Sequence, residues 1–405
     1  MDEPGMAEVE RRATEAGRMA FGAAWRPERR AVAPGRIELL GNHLDYNGGP
    51  VLAAAIDRVV LVLVGEGEDA AGVRVVAADM PDEGTAALDP DGLAGWRNPS
   101  PPPRPFDYAR GIVAATLARP ELTLRQPSLV AFAGDVPIGF GLSSSAALCV
   151  GLGLALTREE PGFKALVLLA QDAEHRAGTP AGTMDQSASV AGGVIEYDGA
   201  RLEVRQLAPQ LGDLVFAVAD SGVDRSLGSS AYPTRVEESR AALAHARRAL
   251  GVEIPYLAAL TAEQLATLTT GADPLSEPLL ARARHVVSET ERVRAGETAL
   301  RAGDWTRFGA LMTASGRSSA TDYAISHPRV EELVAEALAV EGVLGARMMG
   351  GGEGGTALTL LRRDRVPALE AALRGGYYRK YGMAERDDLI HVCEFAPGAR
   401  VEAVG

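Results

Sequence analysis

Apolar residues recur along this chain at two spacings, and the alternation between the spacings lays out its elements. Met6, Val9, Ala13, Ala16, Met19 and Ala20 fall at helical intervals, predicting a helix over residues 5–24 that Trp25-Arg26-Pro27 ends. Residues 37–40 and 51–64 are apolar runs of strand character, the second long enough to contain a bend, and residues 41–49 form a polar loop between them. A strand at 73–79 precedes a Pro-rich surface excursion over 80–105, which includes NPSPPPRP at 98–105. Helical spacing returns at 106–117, a strand is predicted at 128–133, and helices at 146–156 and 163–176. Residues 177–193 are small and polar and predict a second loop. Strands at 193–198 and 214–220 lead to a polar stretch at 221–230, and Tyr232-Pro233 opens a helix to Leu250.

Long helices then dominate. Leu280, Ala283, Val286 and Val287 form one stripe of a helix over 279–300, followed by helices at 305–315 and 330–340. Residues 348–361, MMGGGEGGTALTLL, predict a strand, a five-glycine loop and a strand; a helix at 366–373 and a closing strand at 389–395 complete the pattern. No period of 20–50 residues repeats, which argues against a solenoid. The shift from strands and loops to long helices near residue 205 divides the chain into domains of 1–205 and 206–405.

Composition narrows the function. A net charge of −13 disfavours nucleic acid and acidic membranes as partners, and no apolar stretch reaches membrane-spanning length. The N-terminal MDEPGMAEVERR lacks the character of a signal or transit peptide. Cys149 and Cys393 both lie in apolar runs; they are expected to be buried free thiols in a reducing, cytoplasmic compartment. Of the 41 basic residues only Lys164 and Lys380 are lysines, and neither follows a glycine-rich loop. That excludes a P-loop and a protein-kinase loop, both of which depend on a lysine.

Against this background residues 134–148, GDVPIGFGLSSSAAL, carry the most chemistry. Gly139 and Gly141 permit backbone angles other residues avoid, and three serines run into an apolar helix. Free amides feeding a helix N-terminus form an anion site, whereas a glycine turn capped by serine would look the same. A second candidate is the loop over 41–49, where Asn42, His43, Asp45, Tyr46 and Asn47 cluster between strands.

Three separated segments, GRIELLGNHLDYNGG (35–49), PIGFGLSSSAA (137–147) and MMGGGEGGTALTLL (348–361), resemble the signatures of the GHMP small-molecule kinases, and within them the galactokinase family. AEHRAGTPAGTMDQ (173–186), SSAYPTR (229–235), ARARHVVSE and ALRAGDWTRFGALM (281–312) extend the likeness from about residue 31 onward, leaving out the N-terminal helix and the Pro-rich segment. The resemblance implies an α+β, two-domain fold, its N-terminal domain like ribosomal S5 domain 2 and its C-terminal domain ferredoxin-like, with the site in the cleft between. It implies ATP-dependent phosphorylation of the anomeric C1 hydroxyl of galactose, with Mg²⁺. By position, Asp185 matches the base and Arg36 the arginine that stabilises charge at the attacking oxygen. Ser145 and Glu174 match the Mg²⁺ ligands. Gly139, Phe140, Gly141, Leu142, Ser143, Ser144 and Ser145 match the phosphate loop. Asn42, His43, Leu44, Asp45, Gly182 and Tyr232 match the sugar site.

The chemistry is consistent with those assignments. Phosphoryl transfer needs positioning and charge neutralisation more than covalent help, and Mg²⁺ favours a few hard oxygen ligands. Four positions depart from the family pattern: Asn42 replaces a glutamate that accepts from the sugar O6 hydroxyl, Leu44 a threonine, Glu353 an aromatic residue and Gly316 a histidine. Asparagine donates as well as accepts, which opens the reading to another hexose, a hexosamine or a uronic acid. A non-catalytic sugar- and ATP-binding sensor is the alternative of another class, opposed by the intact Asp185, Arg36 and Glu174.

Overall fold

Alternating side chains in a long central strand decide which layer lies on which face of the molecule. The computed structural model describes residues 3–67, 72–100, 102–223 and 232–404. Helix α1 (Glu3–Phe21) precedes β1 (Arg29–Leu40), β2 (Pro50–Gly65), β3 (Val73–Ala77) and β4 (Thr85–Leu88). Next come α2 (Pro90–Leu93), α3 (Pro105–Leu117), β5 (Ser128–Gly134), α4 (Ser144–Leu156), α5 (Phe163–Ala177) and α6 (Met184–Ala191). The chain continues through β6 (Val194–Asp198), β7 (Glu203–Leu207), β8 (Leu214–Asp220), α7 (Tyr232–Leu250), α8 (Ala262–Thr270), α9 (Leu279–Ala302) and α10 (Trp305–Thr321). It closes with α11 (Pro328–Leu338), β9 (Val343–Met349), β10 (Thr356–Arg362), α12 (Val366–Leu373), β11 (Ile390–Cys393) and β12 (Arg400–Ala403).

These strands form an eight-stranded sheet, in the order β12-β1-β2-β5-β3-β4 with β6 and β7 attached along β2, and a four-stranded sheet β11-β8-β10-β9. The α+β expectation holds. In β2, Val60, Val62 and Val64 face the main core, while Val59, Leu61 and Leu63 face Val9, Ala13 and Ala16 of α1. Strand β2 changes partner along its length: residues 50–54 pair with β6 and residues 60–65 with β5. Helix α4 is buried from Ala146 to Leu156 on every side, as its unbroken apolar sequence requires.

Four expectations change. The loop predicted over 177–193 ends in α6, whose Gln186, Ser187 and Ser189 are buried and whose Ser189 Oγ donates to the Pro34 carbonyl at 2.7 Å. Tertiary contacts stabilise a helix that its small residues do not announce. The strand at 389–395 is not the last, because β12 returns to pair with β1. The short β4 and α2 lie inside the excursion at 80–105, and β7 and α8 had no signal in the apolar pattern. Of the polar stretch at 221–230, residues 224–230 lie outside the described residues, as do residues 229–231 of SSAYPTR. Cys149 and Cys393 are buried free thiols, and among the described residues no helix is long and apolar enough to cross a membrane.

Candidate active site

Strand β1 delivers two charged side chains to one face: Arg36 and Glu38 are buried beside a hollow, while Ile37 and Leu39, alternating with them, lie in the core. The loop after β1 is tied down at both ends. Gly41 N–H donates to Glu289 Oε1 of α9 at 2.9 Å, and Asn47 Nδ2 donates to the His43 carbonyl at 2.8 Å and to Tyr323 Oη at 3.2 Å. His43 takes a left-handed backbone (φ 62°), and its Nδ1 lies 2.8 Å from Tyr46 Oη. Its ring packs 5.3 Å from that of Tyr232, the first residue of α7. Asn42, His43, Asp45, Gly182 and Tyr232 line this hollow with Arg36, Glu38 and Asp185. Leu44 does not; it is fully buried under the loop, a packing residue.

Burial raises the Asp45 carboxyl to about 6, with the Glu38 and Asp185 carboxylates nearby adding to the effect. Glu289 goes the other way. Burial alone would raise it, but His285, Arg292, Arg347 and the Ser315 hydroxyl overrule burial and hold it at about 2. Because burial pushes His285 itself toward the neutral form, Arg292, at 2.6 Å, and Arg347 are the cations that act at neutral pH. A depressed carboxylate contributes stability above its unfolded range, lost as pH falls toward 2. Glu289→Gln is therefore expected to cost about 2–3 kcal/mol at pH 7, the cost shrinking steadily between pH 5 and pH 2.5 in urea unfolding. A pH-independent cost would show that the charge plays no part in holding Gly41.

The second centre is the turn before α4. Gly139 (φ 87°), Gly141 (φ 68°) and Ser143 (φ 61°) are left-handed, and no backbone amide from Gly139 to Ser145 donates to another group among the described residues. Ser143 occupies the N-cap position without capping; its Oγ donates to Asp185 Oδ2 at 2.6 Å. The turn is thus an open row of amides at a helix N-terminus rather than a serine-capped turn, a geometry suited to an anion. Phe140 holds the turn in place: its ring packs edge-on against His391 at 4.7 Å, and its carbonyl accepts from Thr356 Oγ1 at 3.0 Å. Leu142 is buried and its carbonyl accepts from the Arg36 amide at 3.0 Å.

Asp185, in the first turn of α6, joins the two centres. Arg36 Nε and Nη2 donate to its two oxygens at 2.8 Å each, and Arg36 Nη1 donates to the Gly141 carbonyl. Such a bidentate pair fixes the carboxylate in orientation as well as place. Behind it, Ser145 Oγ donates to Glu174 Oε1 at 2.8 Å and Gln186 Nε2 donates to Oε2. Glu174 is 2% exposed, and burial pushes its carboxyl up to about 7. The hydrogen-bond partners of its carboxyl among the described residues are the neutral Ser145 and Gln186. Among the described residues no group of three or more His, Cys, Asp and Glu could hold a metal. Ser145 and Glu174 present a hydroxyl and a carboxylate, hard oxygens of the kind Mg²⁺ takes in small number while phosphate and water complete its shell. His175, exposed, lies with its Nε2 2.8 Å from the Ala181 carbonyl and steadies the turn beside Gly182.

The glycine loop between β9 and β10 touches both centres. Gly350 and Gly351 line the hollow, and the Gly350 carbonyl accepts from Asn42 Nδ2 at 3.0 Å. Glu353 is exposed and takes a left-handed backbone (φ 58°). Beyond the turn runs a groove of about 620 Å³ whose walls include Met80, Pro103, Pro105, Tyr108, Phe132 and Ile138. Ile138 is 68% exposed at its rim. The Pro-rich segment, expected as a surface excursion, thus forms one wall of a groove. In the sequence nothing but an isoleucine beside the glycine turn marks it.

A model of the galactokinase galactose-binding signature matches residues 18–66, one of the GHMP kinases N terminal domain residues 107–193, and one of the GHMP kinases C terminal residues 297–379. Galactokinase of Roseiflexus sp. (strain RS-1) is 38% identical over 377 residues, covering 90% of this chain and 91% of the relative. Galactokinase of Homo sapiens is 36% identical over 373 residues, with 90% and 91% covered. The Lactococcus lactis galactokinase solved in complex with galactose matches with a TM-score of 0.84 and 28% identity, over 98% of this chain and 99% of that one. A mevalonate kinase shares the fold alone, at a TM-score of 0.62 and 16% identity.

Proposed function

The chain belongs to the galactokinase family of GHMP kinases, and from that footing we propose that it transfers the terminal phosphoryl group of ATP to the C1 hydroxyl of galactose. One observation carries the reading: Asp185 and Arg36 border both the hollow holding Asn42, Asp45 and Tyr232 and the open amides of the glycine turn. A sugar in the hollow presents a hydroxyl to Asp185, and phosphates on the turn lie on its other side.

Asp185 takes the proton as the sugar oxygen attacks, a role worth roughly 10²–10⁴-fold. Arg36, permanently charged, orients Asp185 and offsets negative charge gathering between the attacking oxygen and the phosphoryl group. The amides of residues 139–145 and the α4 dipole hold the phosphate oxygens. Mg²⁺, held by Ser145 and Glu174, would neutralise phosphate charge when bound. The apolar groove past Ile138 suits the nucleotide base. The two free thiols fit a reducing cytoplasm.

Purified protein is expected to release ADP with galactose and to yield a phosphate on the anomeric carbon by ³¹P NMR. N-acetylgalactosamine, galacturonate and arabinose serve as comparison acceptors. Galactose-dependent ATP binding without turnover on any of them would replace the kinase reading with a sensor.

A further inference from the structure

We propose that Glu38, rather than Asn42, supplies the carboxylate that accepts a hydroxyl hydrogen from the bound sugar. The inference rests on the sugar-kinase reading above and assigns a specificity residue within it.

The hydrogen bonds of Asn42 lead to this conclusion. Asn42 is 1% exposed, and both of its amide hydrogens are committed, one to Glu38 Oε1 at 3.1 Å and one to the Gly350 carbonyl at 3.0 Å. Its Oδ1 accepts from Ser319 Oγ at 3.2 Å, so the protein engages both hydrogens and one lone pair of a side chain that has no carboxylate to offer. Glu38 is held differently. Its Oε1 accepts from Arg347 Nη2 at 2.8 Å as well as from Asn42. Arg347 is itself immobile, fully buried and donating to the Leu39 carbonyl at 3.1 Å and the Met348 carbonyl at 3.0 Å. The other oxygen, Oε2, accepts no hydrogen bond among the described residues and is not sealed from the hollow that Glu38 lines. A clamped carboxylate with one oxygen left over in a sugar pocket has a donor missing, and a sugar hydroxyl provides it.

Gly316 belongs to the same arrangement. A Cβ there would come within 2.8 Å of Arg347 Cβ, so the glycine gives α10 the room to pack on the strand that carries the clamp. The negative charge at Glu38, with Asp45 on the same wall, favours a neutral sugar with a free hydroxyl and opposes a uronate.

The test measures kcat/KM for galactose and each monodeoxygalactose, with wild type and Glu38→Gln. Wild type is expected to lose about 10- to 100-fold on one deoxy sugar, the 6-deoxy form if the hydroxyl is the one that the resemblance pairs with position 42. In Glu38→Gln that penalty collapses at least tenfold while the penalties at other carbons stay put, a pattern that a merely structural role would not produce. Glu38→Gln is also expected to narrow the gap between galactose and galacturonate. Unchanged penalties at every carbon, within about threefold, overturn the proposal. If Glu38→Gln fails to fold, Glu38→Gln combined with Arg347→Met removes both buried charges and is read for the same ratios. Absence of any wild-type turnover on galactose would instead sink the kinase reading; calorimetric binding of the same sugars to both proteins would then read the Glu38 contact by itself.

Discussion

Asp185→Asn is expected to reduce kcat about 10²–10⁴-fold while ATP affinity stays within about twofold. The asymmetry follows from where Asp185 stands. Its oxygens are bound by Arg36 and Ser143 at the meeting of the two centres, whereas the open amides that would carry phosphate lie in the turn over residues 139–145. Asparagine keeps an oxygen for Arg36 but has no basic site for the hydroxyl proton. Alanine is the less informative change, since Arg36 is 6% exposed and would be left as a buried charge without its partner. Single-turnover ADP release and calorimetry with a non-hydrolysable nucleotide separate the two quantities. A variant within tenfold of wild-type turnover would show that Asp185 is not the base.

Arg347→Met is expected to have the largest effect on stability. The pair with Glu38 has both members buried, and removing one partner of such a pair costs about 3–5 kcal/mol because the other charge is stranded. Glu38→Leu added to Arg347→Met is expected to recover most of that loss, since an apolar pair of similar volume avoids desolvating two ions. Urea unfolding of the two singles and the double gives the coupling directly. A single-variant cost below about 1 kcal/mol would mean that Glu38 is not clamped by Arg347.

Much of the site was legible because its parts are local in sequence. Arg36, the loop over 41–49 and the glycine–serine turn each carry their chemistry within about ten residues, and strands and helix ends place such segments predictably. What sequence could not supply was the pairing across the fold. Asn42 carries no sign in the sequence of its bonds to Gly350, more than three hundred residues later, and to Ser319. Glu38 looks like an ordinary strand residue until Arg347 pins one of its oxygens. The same holds for structure at large. Helix α6 depends on burying serines and glutamine, and β12 depends on the β1 edge; neither has an apolar period of its own to read. Leu44 shows the converse, a motif position whose side chain faces the core rather than the ligand.

The glycine loop between β9 and β10 is bonded to the loop over residues 41–49 through Gly350, and Thr356, where the loop enters β10, donates to the carbonyl of Phe140 in the glycine turn. One segment thus spans the two places proposed for donor and acceptor. Thermodynamic reciprocity then governs the pair: whatever factor galactose contributes to nucleotide affinity by settling this segment, the nucleotide must return to galactose. Equal factors in the two directions measure how far the segment yields, and a factor of one marks it as a rigid spacer.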